Sequence, residues 1–480
     1  MRRKEEKMSD ITMITLAEVS ELIRTKQVSP VEVLDACLKR TEEVNPTYNA
    51  YITLTAEKAV EAAKEAEKEI MAGNYRGPLH GVPFSLKDLF YTNGIRTTAG
   101  SSMMADFVPD YDGTIVQRLY KNGAVLTGKV NTEEFALGPT TENTLIGPSR
   151  NPWNTKKIVG GSSGGSAVAV ATGMGYFSMG SDSGGSVRTP AAMCGVVGFK
   201  PSFGLASLYG IIGLAENYDH PGPLTRSVKD AAIVMDHITG FDPMDPCARR
   251  STDPNPTNFT AQLENVNDLK GKVIGVPTNY FFDKTDFGVE KVIRKAISDL
   301  ESIGAEIRYI HIPAMEKVTW ASTAMMFAEM AFLHKERYAE RPQDYAPAVL
   351  ERVKLGSSFT GVEYIQSCKD KQEIMREWEK ALQGIDAVVA PTCPITAFDI
   401  GLPNPWYVTT RGKQEEGKVM CTYHNRVANT TWGPALTVPC GFDNGLPVGL
   451  LIMGKLHDDA NVLQVGYAYE KNFPYTLKTF

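Results

Sequence analysis

The segment of residues 160–188, GGSSGGSAVAVATGMGYFSMGSDSGGSVR, places serine among glycine at both of its ends. A serine hydroxyl acts as a nucleophile towards a carbonyl carbon when a nearby base accepts its proton. Glycine gives the backbone access to conformations that turn several N–H groups towards one point, where they stabilise the oxyanion of a tetrahedral intermediate. The residue types therefore favour acyl-transfer chemistry at this segment.

A flexible linker is the alternative interpretation of the same segment, because glycine and serine are typical of flexible connections. The interior AVAVATGMGYFSMG contradicts a linker, since Tyr176, Phe177 and two methionines are side chains that a solvated chain does not expose. We therefore expect a buried helix of small residues that runs into a strand, with an ordered glycine loop at each end.

The segment contains no histidine, so the base that would activate a serine is left open by the residues alone. Residues 160–164 match the G-x-S-x-G elbow of α/β-hydrolases, in which Ser162 would be the nucleophile and His424 or His457 the base. The match is short and lies in a glycine-rich run. The elbow therefore stays an alternative to a serine activated by another base.

Residues 123–130, GAVLTGKV, copy the spacing of a phosphate-binding P-loop but end in Val130 where such a loop has serine or threonine. Without that hydroxyl the loop lacks its ligand for Mg²⁺. The preceding run TIVQRLYKN predicts a helix, and the order of helix, Asn-Gly turn and strand is typical of α/β packing. We interpret the segment as structural.

Helical and strand-like segments alternate along most of the chain, which indicates an α/β fold. Helices are predicted within residues 15–45 (two), over 55–72, 228–239 and 287–303, and along much of 313–383. Buried strands are predicted within HGVPFSLKDLF (80–90), KVIGVP (272–277) and AVVAPT (387–392). The Asp-Asn-Gly turn inside ALTVPCGFDNGLPVGLLIMG (435–454) predicts a β-hairpin.

Composition excludes several classes of protein. The chain has 480 residues, a formal net charge of −6 and 42% hydrophobic residues, which is ordinary globular composition without a basic footprint for nucleic acid. Its seven cysteines form no CxxC pair and its seven histidines no HxxxH spacing, so we expect neither a disulfide framework nor a metal site. MRRKEEKMSDITMITL at the start lacks the apolar core of a signal peptide, and no long apolar run follows. We therefore expect a cytoplasmic protein.

Three blocks carry a resemblance to a known family: HGVPFSLKDL (80–89), GGSSGGS (160–166) and GSDSGGSVRTPAAMCGVVGFKPSFG (180–204). They resemble the signature blocks of the amidase signature family, and the likeness covers nearly the whole chain. The resemblance implies an α/β amidase signature fold, with a central mixed β-sheet flanked by helices on both faces and a helical elaboration. Within one large domain we expect an N-terminal helical segment (1–75), the signature core (76–312), a variable helical substrate region (313–383) and the C-terminal part of the core sheet (384–480).

The resemblance also implies three catalytic residues. Ser186, which follows the double glycine of the third block, would be the nucleophile. Ser162, which follows a cis peptide bond in the family, would relay its proton, and Lys87 in the first block would be the base. No metal and no cofactor are implied.

Further roles are carried over in the same way. The oxyanion hole would consist of the backbone N–H groups of Ser183, Gly184, Gly185 and Ser186. Asp182, Arg188 and Ser163 would hold the loops around the nucleophile. The alternative interpretation of Ser163, and that of Ser166, is a loop or cap hydroxyl that bonds to local backbone. Cys194 is interpreted as a small core residue.

A lysine acts as a base only when its amine is neutral, and the ordinary pKa of its side chain is about 10.4. Burial disfavours the ammonium form and lowers that pKa by up to about 3–5 units. Lys87 lies between the apolar runs 82–84 and 89–90, so we expect it to be buried. The neutral amine would then take a proton through Ser162 to free Ser186, and water would hydrolyse the acyl-enzyme.

Two functions compete within this family. One is a free-standing hydrolase of amide or carbamate C–N bonds, and the other is the glutaminase subunit of the tRNA-dependent amidotransferase, which works in a complex. That subunit typically has an acidic residue for the ammonium group of glutamine, in a stretch resembling D-I-Y-T-I-P-A-N-L-A-G-L-P-A. The corresponding run here is TYHNRVANTTWGPA (422–435), with Thr422 in place of the acid. Because an unpaired buried charge is costly, this favours the hydrolase.

Substrate choice is expected to lie in the helical region 313–383. Its run WASTAMMFAEMAFLHKERY (320–338) includes five large apolar side chains, some expected in the core and some in an adaptable pocket wall: Met325, Met326, Phe327, Met330 and Phe332. We expect a small-molecule amide or carbamate as the binding partner. No direct contact with nucleic acid or membrane is expected, and a homodimer is the quaternary state considered.

Overall fold

The structure is a computed structural model that describes residues 11–245, 258–403, 405–475, 477 and 480. The expectations about the first ten residues and about Cys247 lie outside these ranges. Within them, no helix is both long and apolar enough to cross a membrane, and no cluster of histidine, cysteine and acidic residues suits a metal ion.

α-Helices and β-strands alternate along the described chain, as the sequence predicted. The helices are α1 (Leu16–Arg24), α2 (Pro30–Tyr48), α3 (Ala56–Met71), α4 (Thr114–Lys121), α5 (Gly164–Ala171), α6 (Arg188–Cys194), α7 (Val228–Ile238), α8 (Phe287–Ser302), α9 (Val318–Glu340), α10 (Pro347–Ser358), α11 (Gly361–Ala381), α12 (Gly417–Thr422), α13 (Arg426–Thr430) and α14 (Asp459–Asn472). The strands are β1 (Tyr51–Leu54), β2 (Pro83–Lys87), β3 (Val125–Val130), β4 (Phe177–Asp182), β5 (Val197–Lys200), β6 (His220–Thr225), β7 (Val273–Pro277), β8 (Glu306–Ile310), β9 (Ala387–Pro391), β10 (Tyr407–Thr410), β11 (Lys413–Glu416), β12 (Ala435–Asp443) and β13 (Leu446–Met453).

Eleven of these strands form one mixed sheet in the order β1-β3-β2-β4-β6-β5-β12-β13-β9-β7-β8, and β10 pairs with β11. Parallel pairs join β2 to β3 and to β4, and β7 to β8 and to β9, whereas the other pairs of the large sheet are antiparallel. Helices flank this sheet on both faces. The mixed α/β architecture expected from the sequence is confirmed.

The parallel pair β2–β4 sets the position of the candidate site. Leu86 lies opposite Met179 in this pair. Lys87 ends β2 and Asp182 ends β4. Because parallel strands end at the same edge of a sheet, both side chains lie at one edge, where ligand crevices of α/β sheets open.

The N-terminal segment is helical but also supplies a strand. Thr15 and Ser29 each complete a capping box with a glutamate three residues on, which explains where α1 and α2 begin. Between α2 and α3, β1 pairs with β3 and forms one edge of the sheet. This strand was not predicted, because four residues give no recognisable alternation and their partner lies about 75 residues away in the chain.

Residues 123–130 form the turn after α4 and then β3, so their structural interpretation is confirmed. Lys129, which would contact phosphate in a P-loop, is fully buried. Its Nζ donates to Phe90 O and Thr97 Oγ1, both at 2.6 Å, and lies 3.5 Å from Asp88 Oδ1. The lysine is therefore bound inside the core.

The small-residue helix predicted inside the serine–glycine segment is α5, and every residue of it is buried. A Cβ at Gly165 would lie 2.4 Å from the backbone nitrogen of Asn131, so α5 packs directly on the backbone that follows β3. β4 follows α5, as expected. This packing fixes the two glycine loops, one before α5 and one after β4.

The hairpin predicted from the Asp-Asn-Gly turn is β12–β13, with Asp443 opposite Leu446. Asn444 and Gly445 have φ angles of 49° and 77°, the left-handed conformation that a two-residue hairpin turn needs. The helical region is confirmed as well, since α9, α10 and α11 occupy most of 318–381. Residues of α9 and α10 line the cavity of the candidate site.

Candidate active site

Lys87 is fully buried at the end of β2 and points at two serine hydroxyls. Its Nζ lies 2.7 Å from Ser162 Oγ and 2.9 Å from Ser181 Oγ, with Ser181 O at 3.5 Å. The structure therefore brings together Lys87 and Ser162, two of the three predicted catalytic residues, although they are 75 positions apart in the sequence.

Burial lowers the pKa of Lys87 from about 10.5 to about 7. The negative charges of Asp182, Asp219 and Glu133 raise that pKa in turn, but they do not cancel the effect of burial. Near neutral pH a large share of Lys87 is thus an uncharged amine. Such an amine accepts a proton from a hydroxyl at hydrogen-bond distance.

Ser162 lies in the first glycine loop, where the peptide bond between Gly161 and Ser162 is cis. Glu133 N donates to Ser162 O at 3.2 Å, and Thr141 Oγ1 donates to Gly160 O at 2.9 Å. A Cβ at Gly161 would lie 2.8 Å from the backbone of Pro139 and Thr140. The loop that carries Ser162 is therefore held on two sides by the segment 133–141.

Ser186 lies in the second glycine loop, between β4 and α6. Its carbonyl oxygen accepts a hydrogen bond from Ser163 N at 3.2 Å, which joins the two glycine loops. Ser186 is 8% exposed and lines a cavity of about 410 Å³ together with Ser183 and Gly184. Ser186 therefore lies in a loop that is bonded to the loop of Ser162, and it is accessible to a small molecule.

The loop that carries Ser186 is built around the carboxylate of Asp182. Oδ1 of Asp182 accepts from Gly185 N at 2.8 Å and Oδ2 from Val187 N at 3.1 Å. Arg188 donates to both oxygens, with Nη2 to Oδ1 at 2.8 Å and Nε to Oδ2 at 3.0 Å. Burial alone would raise the pKa of Asp182, but the charge and hydrogen bonds of Arg188 hold it well below its ordinary value. Asp182 thus bonds both to the loop that carries Ser186 and to Arg188.

The same contacts change the expected oxyanion hole. The N–H group of Gly185 donates to Asp182 Oδ1 in this structure, so the carboxylate occupies it in place of an oxyanion. Its added Cβ would lie 2.5 Å from Asn425 Cβ, so only glycine fits there, at a φ of 124°. The backbone N–H groups of Ser183, Gly184 and Ser186 stay as the predicted donors.

Two other serines differ from the local roles expected for them. The hydroxyl of Ser163 makes no cap for α5 but donates to Ser181 O at 3.1 Å. The hydroxyl of Ser166 donates to Met179 O at 3.3 Å. Both bond to the neighbouring strand β4, because the buried helix α5 packs directly on it. Cys194 is fully buried, as expected of a core residue, and burial raises the pKa of its thiol.

Sequence reasoning missed Ser181 and Asp219. Ser181 bonds to Lys87, and the carboxylate of Asp219 accepts hydrogen bonds from the Ser183 hydroxyl and from Leu214 N at 2.7 Å. Burial raises the pKa of Asp219 to about 6. Ser181 lies inside the third block, one residue before Asp182, and that position was its only signal. Asp219 has no signal, because its contact with Ser183 spans 36 residues.

The geometry gives no support to the elbow alternative. His424 is fully buried, its Nδ1 lies 2.8 Å from Pro391 O, and burial lowers its pKa to about 3. The backbone N of His457 donates to Ser202 Oγ at 2.9 Å. Ser162 Oγ has Lys87 as its neighbour instead.

The cavity beside Ser186 has a mixed wall. From α9, Met326 and Phe327 line it, whereas Met325 and Met330 are buried in the core and Phe332 is 64% exposed. Five charged residues also line the cavity: Glu351, Arg352, Glu416, Lys418 and Arg426. The wall thus combines an apolar helix face with charged groups.

The family model described as Amidase matches residues 32–463 of this chain. The chain belongs to the amidase signature family. Its relatives include a glutamyl-tRNA(Gln) amidotransferase subunit from Moorella thermoacetica (strain ATCC 39073 / JCM 9320), 38% identical over 97% of this chain and 98% of the relative.

Solved structures of amidase signature enzymes share the fold. A chain from a vestigial protein complex, reported in connection with the evolutionary origins of an s-triazine catabolic enzyme, superposes with a TM-score of 0.92 at 30% identity, covering 97% of this chain and 100% of that one. A bacterial aryl acylamidase of the family superposes with a TM-score of 0.88 at 28% identity, covering 96% of this chain and 97% of that one. The family includes both complex-forming and amide-cleaving proteins.

Proposed function

We propose that this protein hydrolyses the C–N bond of a small carboxylic amide through an acyl-enzyme on Ser186. The observation that carries the proposal is the buried amine of Lys87, 2.7 Å from the hydroxyl of Ser162 and with a pKa of about 7. A neutral amine at that distance is a competent base for a hydroxyl. Carbamates present a similar carbonyl to the same groups, so they belong to the same substrate class.

The reaction begins when Lys87 takes the proton of Ser162 while Ser162 takes the proton of Ser186. Ser186 Oγ attacks the carbonyl carbon, and the N–H groups of Ser183, Gly184 and Ser186 stabilise the negative oxygen. Each such donor contributes about 2.7–4 kcal/mol to a transition state of this kind. The relay then returns its proton to the leaving nitrogen, the C–N bond breaks, and water attacks the acyl-enzyme by the same route to release the acid.

A second candidate is the glutaminase subunit of the tRNA-dependent amidotransferase. Similarity over the whole chain favours this candidate, because the Moorella thermoacetica relative at 38% identity is a glutamyl-tRNA(Gln) amidotransferase subunit. The cavity favours a free-standing hydrolase, because Thr422 lines it where the glutaminase stretch has an acid. Both candidates release ammonia or an amine by the same chemistry, so the catalytic proposal does not depend on the choice.

The test measures product release by the purified chain alone from L-glutamine, aliphatic amides, aryl amides and aryl carbamates. We expect measurable hydrolysis of at least one non-glutamine amide, abolished by Ser186→Ala and retained by Ser166→Ala, a buried serine of the same segment. Hydrolysis of glutamine alone, or activity that appears only with an added partner protein, would replace the first candidate by the second. Full activity in Ser186→Ala would refute both.

A further inference from the structure

Arg426 lies on the wall of the cavity, directly above the loop that carries the nucleophile. A Cβ added to Gly184 would lie 3.8 Å from Cγ of Arg426. Gly184 follows Ser183 and lies two residues before Ser186. The side chain is partly buried, and it lines the cavity with Ser186 and Gly184. Its guanidinium therefore lies where the part of a substrate next to the reacting carbonyl would lie.

The hydrogen-bond partners of the guanidinium are neutral hydroxyls. Nη1 donates to Thr323 Oγ1 at 2.7 Å and to Ser322 Oγ at 3.3 Å, and Nε donates to Thr422 Oγ1 at 3.3 Å. Within the described ranges, no carboxylate lies at ion-pair distance from Arg426, and Nη2 has no hydrogen-bond partner. Burial lowers the pKa of Arg426, as expected of a guanidinium removed from water. The negative charge of Glu416 raises that pKa from beyond ion-pair distance, so this half-buried positive charge lacks a directly bonded counter-ion.

Three hydroxyls hold the guanidinium in one orientation, and its Nη2 edge is left for a ligand. Arginine presents its N–H groups in a planar fork that matches the two oxygens of a carboxylate. The fixed orientation reduces the entropy lost when a ligand binds. The group that fits this position is therefore an anion with planar oxygens.

Thr422 explains why the charge stays free. Its hydroxyl accepts the hydrogen bond from Arg426 Nε. In the glutaminase stretch the position of Thr422 is an acid and the position of Arg426 is isoleucine. An aspartate at 422 would pair with Arg426 and neutralise its positive charge. An ammonium group bound near residue 422 would instead be repelled by Arg426.

We propose that Arg426 binds a carboxylate of the substrate, so that the substrate is a small amide that carries a carboxylate and no ammonium group beside it. The proposal deepens the proposed function and rests on it for the amide, but the binding of the anion is measurable without turnover. Glu351 and Glu416 line the same cavity, so a substrate with an ammonium group is the alternative that the experiment must exclude.

The experiment compares three amides of matched length by ammonia release: glutaramate, which has a carboxylate; pentanamide, which has no charge; and L-glutamine, which is glutaramate with an ammonium group. We expect the wild-type chain to prefer glutaramate over pentanamide at least tenfold in kcat/KM, and glutaramate over glutamine at least tenfold. In Arg426→Met the preference for glutaramate over pentanamide should fall at least tenfold.

Two further variants separate a specific contact from general electrostatics. Lys418→Met removes an equal charge from the same cavity, and it should leave the preference for glutaramate within about threefold of wild type. Thr422→Asp keeps Arg426 but supplies a counter-ion, and it should lower the preference as Arg426→Met does. An unchanged preference in Arg426→Met, or an equal loss in Lys418→Met, would overturn the proposal.

Binding to Ser186→Ala, measured by titration calorimetry, decides the case independently of turnover. Glutaramate should bind at least tenfold more tightly than pentanamide, and adding Arg426→Met should remove that difference. If the wild type hydrolyses none of the three amides while this difference is present, the proposed function fails for these substrates and the anion site stands. Equal binding of both ligands, or a tenfold preference for glutamine, would refute the anion site as proposed.

Discussion

Neutral Lys87 is the group on which the proposed chemistry depends, and pH changes its population directly. With the ordinary pKa of 10.5 about one amine in 3000 would be neutral at pH 7, whereas with a pKa of about 7 about half are neutral. Burial therefore raises the amount of active base roughly 1500-fold at neutral pH. Because protonation removes the base, kcat/KM should fall as the pH falls through 7.

The expected profile is a plateau above about pH 8 and a limb with a slope of one below pH 7, so that kcat/KM falls about 50-fold between pH 7 and pH 5. The assay is ammonia release from a neutral amide such as pentanamide, since such a substrate does not titrate in this range. A second amide with a different leaving nitrogen should give the same limb, because the limb belongs to the free enzyme.

Asp219 is the titrating group that could imitate Lys87, because burial raises its pKa to about 6 and it bonds to Ser183. Its negative charge raises the pKa of Lys87, so Asp219→Asn should move the limb to lower pH without removing it. A limb that disappears in Asp219→Asn would assign the titration to the carboxylate. A profile that stays flat to pH 5 in the wild type would refute the neutral-lysine mechanism.

Two further predictions concern the residues that position the site. Asp182→Asn leaves the fully buried Arg188 without its carboxylate, so unfolding by urea should reveal a loss of about 3–5 kcal/mol together with lower kcat; an unchanged unfolding midpoint would contradict this role. Lys87→Met tests the cost of the buried amine. The unfolded chain protonates Lys87 near pH 10.5 and the folded chain near 7, so folding stability falls, on the order of 5 kcal/mol, as the pH falls through that range. The thermal midpoint of Lys87→Met should exceed that of the wild type at pH 7, and the difference should shrink towards pH 10; a difference independent of pH would contradict the assigned pKa.

Local pattern was enough to predict the elements around the site. The small residues between the two glycine loops predicted α5 and β4, and the Asp443-Asn444-Gly445 turn predicted the closing hairpin, because each depends on neighbours in sequence. The three residues Lys87, Ser162 and Ser186 were found through their blocks. The distance between Lys87 and Ser162 was not available from any block, since it depends on the parallel pairing of β2 with β4.

Contacts between distant segments could not be predicted. β1 pairs with β3 although α3, β2 and α4 lie between them in the chain. Asp219, which directly precedes β6, bonds to Ser183 across the antiparallel pair β4–β6. The hydrogen bond of Gly185 N to Asp182 could not be predicted either. This N–H group can donate to an oxyanion or to the carboxylate of Asp182, and only the folded loop decides between them. The role proposed for Arg426 could not be predicted either, because it depends on the hydroxyls that bond to the guanidinium in the folded chain.

The rate and the position of phosphonylation test the central mechanism most directly. A fluorophosphonate forms a stable adduct with an activated serine, and peptide mass spectrometry locates it while stopped-flow kinetics give its rate. We predict modification of Ser186 alone, at a rate that falls by several orders of magnitude in Lys87→Met and in Ser162→Ala but not in Ser166→Ala. An adduct on Ser162, or modification of Ser186 at the wild-type rate in Lys87→Met, would contradict the relay.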